Sequence, residues 1–453
     1  MLIGNGAGFL GDNLDAPRLL AEATRLDYLT LEYLAELTLS ILARNREKDP
    51  ASGYASDFLE VLESLLPALA AQPQLKIITN AGGMNPASCA QAAARILVAA
   101  GCGQQKIAVV SGDCLVSQLD SIKAAGCSLT NLDTGQPLAD LQQPVISANA
   151  YLGARPIADG LAAGARYVIT GRVADASLTV GPAMHEFGWA WDDWNALAGA
   201  SVAGHVIECG AQATGGFYPH WSEIDYGHIG YPMAEVADDA TCTIAKPAGT
   251  GGRINRETIS EQLVYEIGDP AHYLTPDVDV DFTTVELEET GADMVRVTGA
   301  TGRPATDTYK VSLAYRAGYM ASGQLVVYGR DCVAKAKACA DAILAKLATA
   351  GIVLDGSNIE CLGAGDSLPE LHAPPRDLRE VVLRIAVRDR RREAVERFTR
   401  EFAPLATSGP AGLAGYTAAR GTVRPVFAYW PTLVPKDLVK ARLEVKSAAE
   451  WVK

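Results

Sequence analysis

The sequence lacks the features expected of a membrane protein or a nucleic-acid-binding protein. It contains no run of eighteen apolar residues, which a membrane-spanning helix would require. Positive charge is scarce, because 39 Lys and Arg residues stand against 53 Asp and Glu residues and the formal net charge is −14. A nucleic-acid or anionic-membrane surface favours a basic patch, so this balance argues against both. A few locally concentrated basic residues still permit an anionic substrate.

Signals for secretion and for disulfide formation are also missing. Nine cysteines are scattered at irregular spacing with no C-x-x-C pair, which is typical of free thiols in a reducing compartment. The first residues, MLIGNGAGFLGDN, have neither a basic segment nor a long apolar core. We therefore expect a cytoplasmic protein that associates with neither a membrane nor a nucleic acid.

Common metal, nucleophile and cofactor motifs are absent as well. The six histidines form no H-x-x-x-H pair and have no acidic partner at ligand spacing, so no metal site is predicted. There is no G-x-S-x-G motif, and GNGAG at 4–8 lacks the full dinucleotide-binding spacing. Cys209 lies at a predicted helix end, where a thiolate would be stabilised, but a buried inert thiol is the favoured interpretation. No redox cofactor is expected.

Short apolar runs alternate with amphipathic helical stretches over the first 195 residues. The predicted strands are 1–4, 28–34, 75–80, 106–112, 144–151 and 166–171. This alternation predicts an α/β fold with a mostly parallel, doubly wound sheet that carries helices on both faces. An incomplete β/α barrel is the alternative, because the pattern does not determine whether the sheet closes.

The pattern changes after residue 235. Strands of alternating polarity, such as DVDVDFTTVELEE and YKVSLAYRAG, are followed by helical segments at 332–351 and 392–409. A chain of 453 residues is also too long for a single hydrophobic core. We therefore predict an α/β domain at 1–235 and an α+β domain with antiparallel strands at 236–453.

Polar residues and glycines follow the predicted parallel strands. Ligands of open parallel sheets bind beyond the carboxyl ends of the strands, and glycines there let the backbone approach a ligand. The residues at these positions are Asn5, Glu32, Glu36, Asn80, Gly82, Gly83, Asn149, Arg172 and Asp175. Their arrangement predicts one polar site at the sheet edge. Local alternatives remain, since Arg172 and Asp175 can form a structural ion pair and Asn85 before Pro86 is typical of a helix cap.

A second candidate binding element lies near residue 250. The residues concerned are Lys246, Gly249, Thr250, Gly251 and Gly252, and a helical segment rich in Glu and Gln follows them. Backbone N–H groups at such a turn can bind an anion, for example a carboxylate or a phosphate of coenzyme A. The spacing does not match a nucleotide-hydrolysis motif, and a tight β-turn without a ligand is the alternative.

As a set, these motifs resemble the AtuA family, named for acyclic terpene utilisation. The matching segments are IGNGAGFLGDN, DYLTLEYLAE, TNAGGMNP, ANAYLGARPI, TGRVADASL, HEFGWAWDDW, ECGAQATGG, KPAGTGGR, LVYEIGDPAHYLTPDV and GATGRP. They cover about residues 1–310 in this order, and a looser likeness continues to PVFAYWPTLVP. Family members occur with genes for degrading acyclic terpenes or branched acyl-CoA compounds. The resemblance implies a protein of such a catabolic pathway.

These observations together predict a lyase or hydratase that acts on a carboxylate or an acyl-CoA thioester by hydration, dehydration or C–C lysis. Asp175 or Glu32 is the expected general acid or base, and Arg172 would clamp a substrate carboxylate. Asn80 and Asn149 would donate to a carbonyl or enolate, while Asn5, Gly82, Gly83 and the turn at 246–252 would help to bind the substrate. Coenzyme A is expected only as part of the substrate.

The expected partners are a small-molecule carboxylate or acyl-CoA and, in a homo-oligomer, further copies of the chain. The alternative function is a non-catalytic subunit that binds acyl-CoA or a partner enzyme. Turnover of a bound ligand would distinguish the enzyme from the binding subunit.

Overall fold

A computed structural model describes residues 1–369, 371, 377–415 and 420–453. The chain divides into two compact units, one formed by 1–314 with 429–453 and the other by 315–428. Residues 236–314, which the strand pattern grouped with the second predicted domain, are part of the first unit.

Short strands occur throughout the chain. They are β1 (Leu2–Asn5), β2 (Tyr28–Leu31), β3 (Lys76–Thr79), β4 (Lys106–Ser111), β5 (Val145–Ala150), β6 (Tyr167–Thr170), β7 (Met233–Val236), β8 (Cys242–Ala245), β9 (Tyr273–Leu274), β10 (Asp279–Asp281), β11 (Glu286–Gly291), β12 (Met294–Thr298), β13 (Thr301–Arg303), β14 (Thr308–Tyr328), β15 (Gly356–Leu362), β16 (Glu380–Asp389), β17 (Leu413–Gly415), β18 (Arg424–Pro435) and β19 (Arg442–Ser447).

At least one helix lies in each connection from β1 to β7 and in some of the later connections. The helices are α1 (Ala16–Ala23), α2 (Glu36–Lys48), α3 (Asp57–Ala71), α4 (Pro86–Ala99), α5 (Leu119–Ala124), α6 (Arg155–Ala162), α7 (Ser177–Phe187), α8 (Trp194–Ile207), α9 (Arg256–Val264), α10 (Cys332–Thr349), α11 (Arg392–Thr399), α12 (Leu405–Ser408) and α13 (Ala448–Trp451). In the described part of the chain, none of them combines the length and the apolarity needed to cross a bilayer.

A ten-stranded mixed sheet organises the first unit, in the order β11-β12-β8-β7-β1-β2-β3-β6-β4-β19. Its central strands β1, β2, β3, β6 and β4 are parallel, as the sequence predicts, and their side chains are mostly buried. Antiparallel strands extend both edges, β7 next to β1 and β19 next to β4. The fold is therefore mixed α/β with a parallel core, and the doubly wound arrangement stays a prediction.

The strand predicted at 144–151 pairs outside the parallel core. It forms β5, which pairs with β14, and the N–H of Tyr151 donates to the carbonyl of Lys310 at 2.9 Å. Residues such as Val145 and Ile146 suit any buried strand, so local sequence did not reveal this partner 160 residues away. The pairing carries Asn149 and Tyr151 to the same sheet edge as the parallel strand ends.

Caps and small residues fix the helices beside this edge. Asn85 accepts a hydrogen bond from the N–H of Ser88, which confirms the predicted cap of α4. Asp193 caps α8, because its side chain accepts a hydrogen bond from the N–H of Ala196. A Cβ added at Gly204 would lie 2.9 Å from the backbone of Ala176, so the small residues of α8 let it approach α7 closely.

The second unit contains an antiparallel sheet with its own core. Residues 319–328 of β14 pair with β16, which pairs with β15 on its other side. Side chains of β16, α10 and α11 form the buried cluster of this unit, including Ile343, Ile385 and Phe398. The antiparallel pairing predicted beyond residue 236 is confirmed in both units.

Candidate functional site

A cavity of about 660 Å³ opens at the carboxyl ends of the parallel strands of the first unit. Gly8 follows β1, Glu32 follows β2 and Arg172 follows β6, and all three line it. Tyr273 of β9 and Lys310 of β14 complete other parts of the wall. Three of the strand ends that the sequence singled out, those of β1, β2 and β6, therefore meet at this cavity.

Arg172 is the centre of the charged wall. The residue is 2% exposed, and its NH1 group donates to the carbonyl of Leu34 at 2.5 Å. NH1 also lies 2.7 Å from Oδ1 of Asp175 and 3.9 Å from Oε1 of Glu32. The guanidinium stacks over the ring of Tyr151, with 4.1 Å between its central carbon and the ring centroid. Arg172 thus holds two carboxyl groups of the cavity close together.

The ion pair is a cavity feature as well as a structural contact. The side chain of Asp175 is 29% exposed and faces the cavity that Arg172 also lines. The NH1 group that would clamp a substrate carboxylate already bonds Leu34 and pairs with Asp175, so a direct clamp would compete with both. Nε of Arg172 is buried and has no hydrogen-bond partner among the described residues.

Glu32 has two oxygens in different environments. Oε1 accepts hydrogen bonds from the N–H of Leu34, at 2.8 Å, and from Nδ2 of Asn80. Oε2 is buried without a partner in the described structure. Because Oε1 is occupied by two N–H donors, a proton on this carboxyl group would sit on Oε2.

The two carboxyl groups next to Arg172 differ in acidity. Burial and the charge of Asp175 raise the pKa of Glu32 well above its ordinary value, although Arg172 and Asn80 oppose the shift. Burial also raises the pKa of Asp175, against the opposing charge of Arg172. Glu32 therefore keeps its proton to a higher pH, and Asp175 is the more readily ionised of the two.

A third carboxyl group of the cavity wall is ionised. The hydroxyl of Tyr151 donates to Oε1 of Glu36 at 2.5 Å, and Nζ of Lys310 lies 3.4 Å from the same oxygen. Burial acts to raise the pKa of Glu36, but the Tyr151 hydrogen bond and the charges of Arg172 and Lys310 outweigh it and lower the pKa to about 2. Lys310, with a side chain 46% exposed, is the more accessible of the two cavity cations.

Asn80 lies beneath the cavity and is completely buried. Its Oδ1 accepts from the N–H of Tyr33 at 2.8 Å, while its Nδ2 donates to Glu32. Both ends of the amide are thus used in placing the segment that carries Glu32. In this structure Asn80 contacts a charged group of the cavity wall rather than the cavity itself.

Asn149 has the corresponding relation to Arg172. Its Nδ2 donates to Oδ2 of buried Asp113 at 2.7 Å, and the same oxygen accepts from the backbone N–H of Arg172 at 2.9 Å. Asp113 therefore links β5 to the start of the loop after β6. Asn149 acts on Arg172 through this carboxylate.

Asn5 holds the end of α8. Its Nδ2 donates to the carbonyls of Ile207 and Glu208 at 2.7 and 2.8 Å. Both carbonyls belong to the last turn of the helix, which has no intrahelical donors for them. Glu208 lines the cavity, so Asn5 places another cavity carboxyl group.

Gly82 and Gly83 shape the turn that follows β3. A Cβ at Gly82 would lie 2.8 and 2.9 Å from atoms of Pro86, and Gly83 has a φ of +50°. Close packing and backbone conformation thus account for both glycines. Within the described structure, neither residue lines the cavity.

The glycine-rich turn near residue 250 lies apart from the cavity lining. Lys246 is buried, donates to the carbonyl of Thr250 at 2.9 Å and lies 3.0 Å from Asp293. Gly249 and Gly252 adopt positive φ, and Gly251 pairs with Ile229. Of the described residues, Lys246, Gly249, Thr250, Gly251 and Gly252 are all outside the cavity wall.

Glu208 and Tyr273 are cavity residues that the sequence did not single out. Glu208 ends a helix of small residues, and Tyr273 lies in a two-residue strand, so neither follows a predicted parallel strand. The sequence feature that could have pointed to Glu208 is its position directly before Cys209 in the motif ECGAQATGG. Burial and the charge of Glu208 raise the pKa of the Cys209 thiol, which agrees with an inert cysteine.

Titratable side chains form no metal centre in the described ranges. No group of three or more His, Cys, Asp or Glu side chains there is arranged to hold a metal ion. Glu32 and Asp175 are instead held by Arg172, an arrangement suited to proton transfer.

Comparison with known proteins identifies the family. A family model described as "Acyclic terpene utilisation family protein AtuA" matches residues 1–445. Comparisons with curated proteins and with solved structures gave no match. The match spans both units and includes every residue of the cavity, and it confirms the resemblance seen in the motifs. The chain belongs to the acyclic terpene utilisation family AtuA.

Proposed function

We propose that this protein is a catabolic lyase or hydratase that uses Glu32 as the general acid and Asp175 as the general base. The observation that carries the proposal is the pair of carboxyl groups beside the same NH1 group of buried Arg172 in one cavity. Two carboxyl groups with different proton affinities are the usual means by which a site both removes and delivers protons.

Asp175 would remove a proton from the substrate. Its carboxylate is stabilised by Arg172 at 2.7 Å and is partly exposed to the cavity. The proton abstracted could come from a carbon next to a carbonyl, as in dehydration, or from a hydroxyl, as in C–C lysis. Arg172 thus favours the ionised form of the base and holds it in position.

Glu32 would deliver the second proton. Burial and the charge of Asp175 raise its pKa and so favour its protonated form, and its oxygen without a partner in the described structure is Oε2. In dehydration, the C–O bond breaks and the departing hydroxyl takes this proton, so water leaves. In C–C lysis, the proton goes to the enolate that forms when the C–C bond breaks. Hydration is the reverse of the first reaction.

The residues that line the cavity support a particular class of substrate. Lys310 offers an accessible positive charge, while the rim includes exposed apolar side chains of Phe9, Phe217 and Leu274. An acyl compound with a carboxylate or thioester end and an apolar chain fits this combination. Coenzyme A enters the proposal only as a part of the substrate.

A ligand panel tests the proposal. Thermal shifts with coenzyme A, short acyl-CoAs and dicarboxylates identify binders, and mass spectrometry of the incubated mixtures identifies products. Turnover of a binder should fall about 10²–10⁴-fold in Asp175→Asn and in Glu32→Gln, as is typical when an acid or base is removed. The matched control is Asp120→Asn, which changes an exposed aspartate.

Two results would contradict the enzyme. Wild-type turnover in Asp175→Asn would show that its carboxylate is not the base. Stabilisation by a ligand without any product across the panel and the natural substrate would favour the non-catalytic acyl-CoA-binding subunit.

A further inference from the structure

A second ionisable pair lies at the end of α8, separate from Arg172. His205 is in the last turn of the helix and is 1% exposed, and Glu208 directly follows the helix and is 8% exposed. Nδ1 of His205 lies 3.2 Å from Oε1 of Glu208. Glu208 lines the cavity, so one member of the pair can meet a ligand.

The position of one imidazole proton is fixed by the backbone. Nε2 of His205 lies 2.9 Å from the carbonyl oxygen of Gln262. A carbonyl oxygen only accepts, so Nε2 must carry a hydrogen. Nδ1 then either presents a lone pair to a protonated Glu208 or donates its own proton to a carboxylate. Nδ1 makes no aligned hydrogen bond within the described structure, and Oε1 of Glu208 lies 3.2 Å from it. In both states the two side chains carry one proton between them, and the pair has no net charge.

Aromatic rings keep water away from the imidazole. The ring centroids of Tyr273 and Phe282 lie 5.6 and 5.3 Å from that of His205. The side chain of Gln262 also donates to the carbonyl of His205 at 3.2 Å, which joins α9 to α8. A net charge in such surroundings is costly, and a neutral pair that shares a proton avoids most of that cost.

We propose that Glu208 is a further acid–base group that contacts the substrate, and that His205 is a positioning residue that keeps one proton available to it. The inference rests on the proposed function, because it assigns Glu208 to the same cavity. Oε2 of Glu208 is buried and has no hydrogen-bond partner in the described part of the chain. This oxygen is therefore free to meet a hydroxyl or carbonyl oxygen of a ligand.

The proton transfer is balanced in both directions. When Glu208 acts as an acid, its Oε2–H bond breaks, the substrate oxygen gains the proton, and Oε1 of the resulting carboxylate stays beside the Nδ1–H of the His205 imidazolium. When Glu208 acts as a base, a substrate O–H bond breaks and Oε2 gains the proton. The positive charge that the pair then carries resides on the His205 imidazolium and balances the new alkoxide.

The charges around the pair support this assignment. Burial raises the pKa of Glu208 to about 7, although the hydrogen bond and charge of His205 oppose the shift. Burial acts to lower the pKa of His205, but the hydrogen bond and charge of Glu208 outweigh it and raise the pKa. The other titratable groups that face the pair are Asp175, Cys209, Tyr265, Glu266 and Tyr273. The negative charges of Asp175 and Glu266 favour retention of the shared proton.

Nitrogen-15 NMR of histidine-labelled protein tests the proton-sharing pair without a substrate. His205→Gln identifies the ring signals of His205. We expect Nε2 to stay protonated at every pH and Nδ1 to titrate with Glu208. In Glu208→Gln, the titration midpoint of His205 should fall by about 1–3 pH units, because the ring stays buried and loses the nearby carboxylate. Glu266→Gln is the matched control and should shift it less.

Labelling with methyl diazoacetate tests whether Glu208 presents a protonated carboxyl group to the cavity. The acid proton moves to the diazo carbon, dinitrogen leaves, and the carboxyl oxygen bonds to that carbon. Peptide mapping of wild-type protein should find an ester on Glu208 below neutral pH. In His205→Gln the labelling should persist to a higher pH, because the group that favours the carboxylate is lost.

The outcomes separate this inference from the proposed function. A His205 titration that Glu208→Gln leaves unchanged, or a Glu208 that stays unlabelled in folded wild-type protein, would overturn the assignment of this pair alone. If Glu32 and Asp175 are not the acid and the base, the turnover measurements on their variants will show it. The NMR and labelling results for His205 and Glu208 would not change. Wild-type spectra remain decisive if a variant does not fold.

Discussion

At the scale of single residues, uncharged amides place the charged groups of the cavity. Asn80 bonds Glu32 directly, while Asn5 bonds the backbone of Glu208. Asn149 reaches Arg172 through Asp113. Each amide is buried, and each donates a side-chain hydrogen bond within the protein. The geometry of the charged wall therefore depends on residues that carry no charge.

Replacing Asn80 by Ala should destabilise the protein and misplace Glu32. The substitution leaves the N–H of Tyr33 without its acceptor and Glu32 without a donor, both in buried positions. We expect a loss of about 1–3 kcal/mol in the free energy of unfolding. Urea denaturation followed by circular dichroism measures this loss. Exposed Asn45, changed to Ala, should stay within about 0.5 kcal/mol of wild type.

Glu32 should make the stability of the protein depend on pH. Its pKa is raised well above the ordinary 4.5 in the folded state, so the folded protein binds more protons between these two values. The free energy of unfolding is then highest below 4.5 and falls as the pH rises through the raised pKa. As the pH rises from 4.5 through this raised pKa, Glu32→Gln should lose less stability than wild type in parallel denaturation series. Equal losses in the two proteins would contradict the raised pKa.

At the scale of elements, α8 connects packing to the site. Its small residues allow close contact with α7, and its end carries His205 and Glu208 into the region of the cavity. Asn5 of β1 donates hydrogen bonds to the carbonyls of Ile207 and Glu208 at that end of the helix. A displacement of α8 would therefore move Glu208 relative to Arg172.

The substitution Gly204→Ala tests the close contact between α8 and α7. Alanine normally gains about 1 kcal/mol over glycine inside a helix. Here the new Cβ would lie 2.9 Å from the backbone of Ala176, and overpacking of this kind costs about 1–3 kcal/mol. We expect a net loss of stability, measured by thermal denaturation. Gly268→Ala is the control, since a Cβ there meets no atom within 4 Å, and a loss as large in that variant would contradict the explanation.

At the scale of the whole molecule, residues from the end of the sequence complete the first unit. β19 pairs with β4, and Trp451 of α13 packs into the same buried cluster as strands β2, β3 and β6. The indole N–H of Trp451 donates to the carbonyl of Ile107 at 3.2 Å. The sheet is thus built from segments more than 300 residues apart in the chain.

Trp451→Ala should weaken the first unit selectively. The residue is 5% exposed, and loss of a buried tryptophan costs about 3–5 kcal/mol. Hydrogen exchange followed by mass spectrometry should show faster exchange in peptides from β4 and β6. Trp221→Ala, at a side chain 69% exposed, should leave those peptides unchanged.

The sequence predicted the parts of this architecture that depend on local pattern. Buried β-branched runs marked the parallel strands, and the strand-end rule led to Glu32, Arg172 and Asp175, which meet in the cavity. Contacts between segments that are far apart in the sequence could not be predicted from local pattern. β5 pairs with β14, Lys246 is neutralised by Asp293, and Glu208 enters the wall from a helix end. Each of these contacts depends on tertiary packing rather than on the residues nearby.

The hydrogen bonds of Asn5 and Asn80 affect which residues can change as the sequences of this family diverge. At the end of α8, the Asn5 side chain donates only to backbone carbonyls, so the side chain at position 208 can be exchanged without removing these hydrogen bonds. Relatives with a different residue there could acquire new substrates while the framework stays intact. Position 32 cannot change in the same way, because Asn80 donates a hydrogen bond to the Glu32 side chain itself. Natural variation should therefore occur jointly at 208 and 205, which pair with each other, and jointly at 32 and 80.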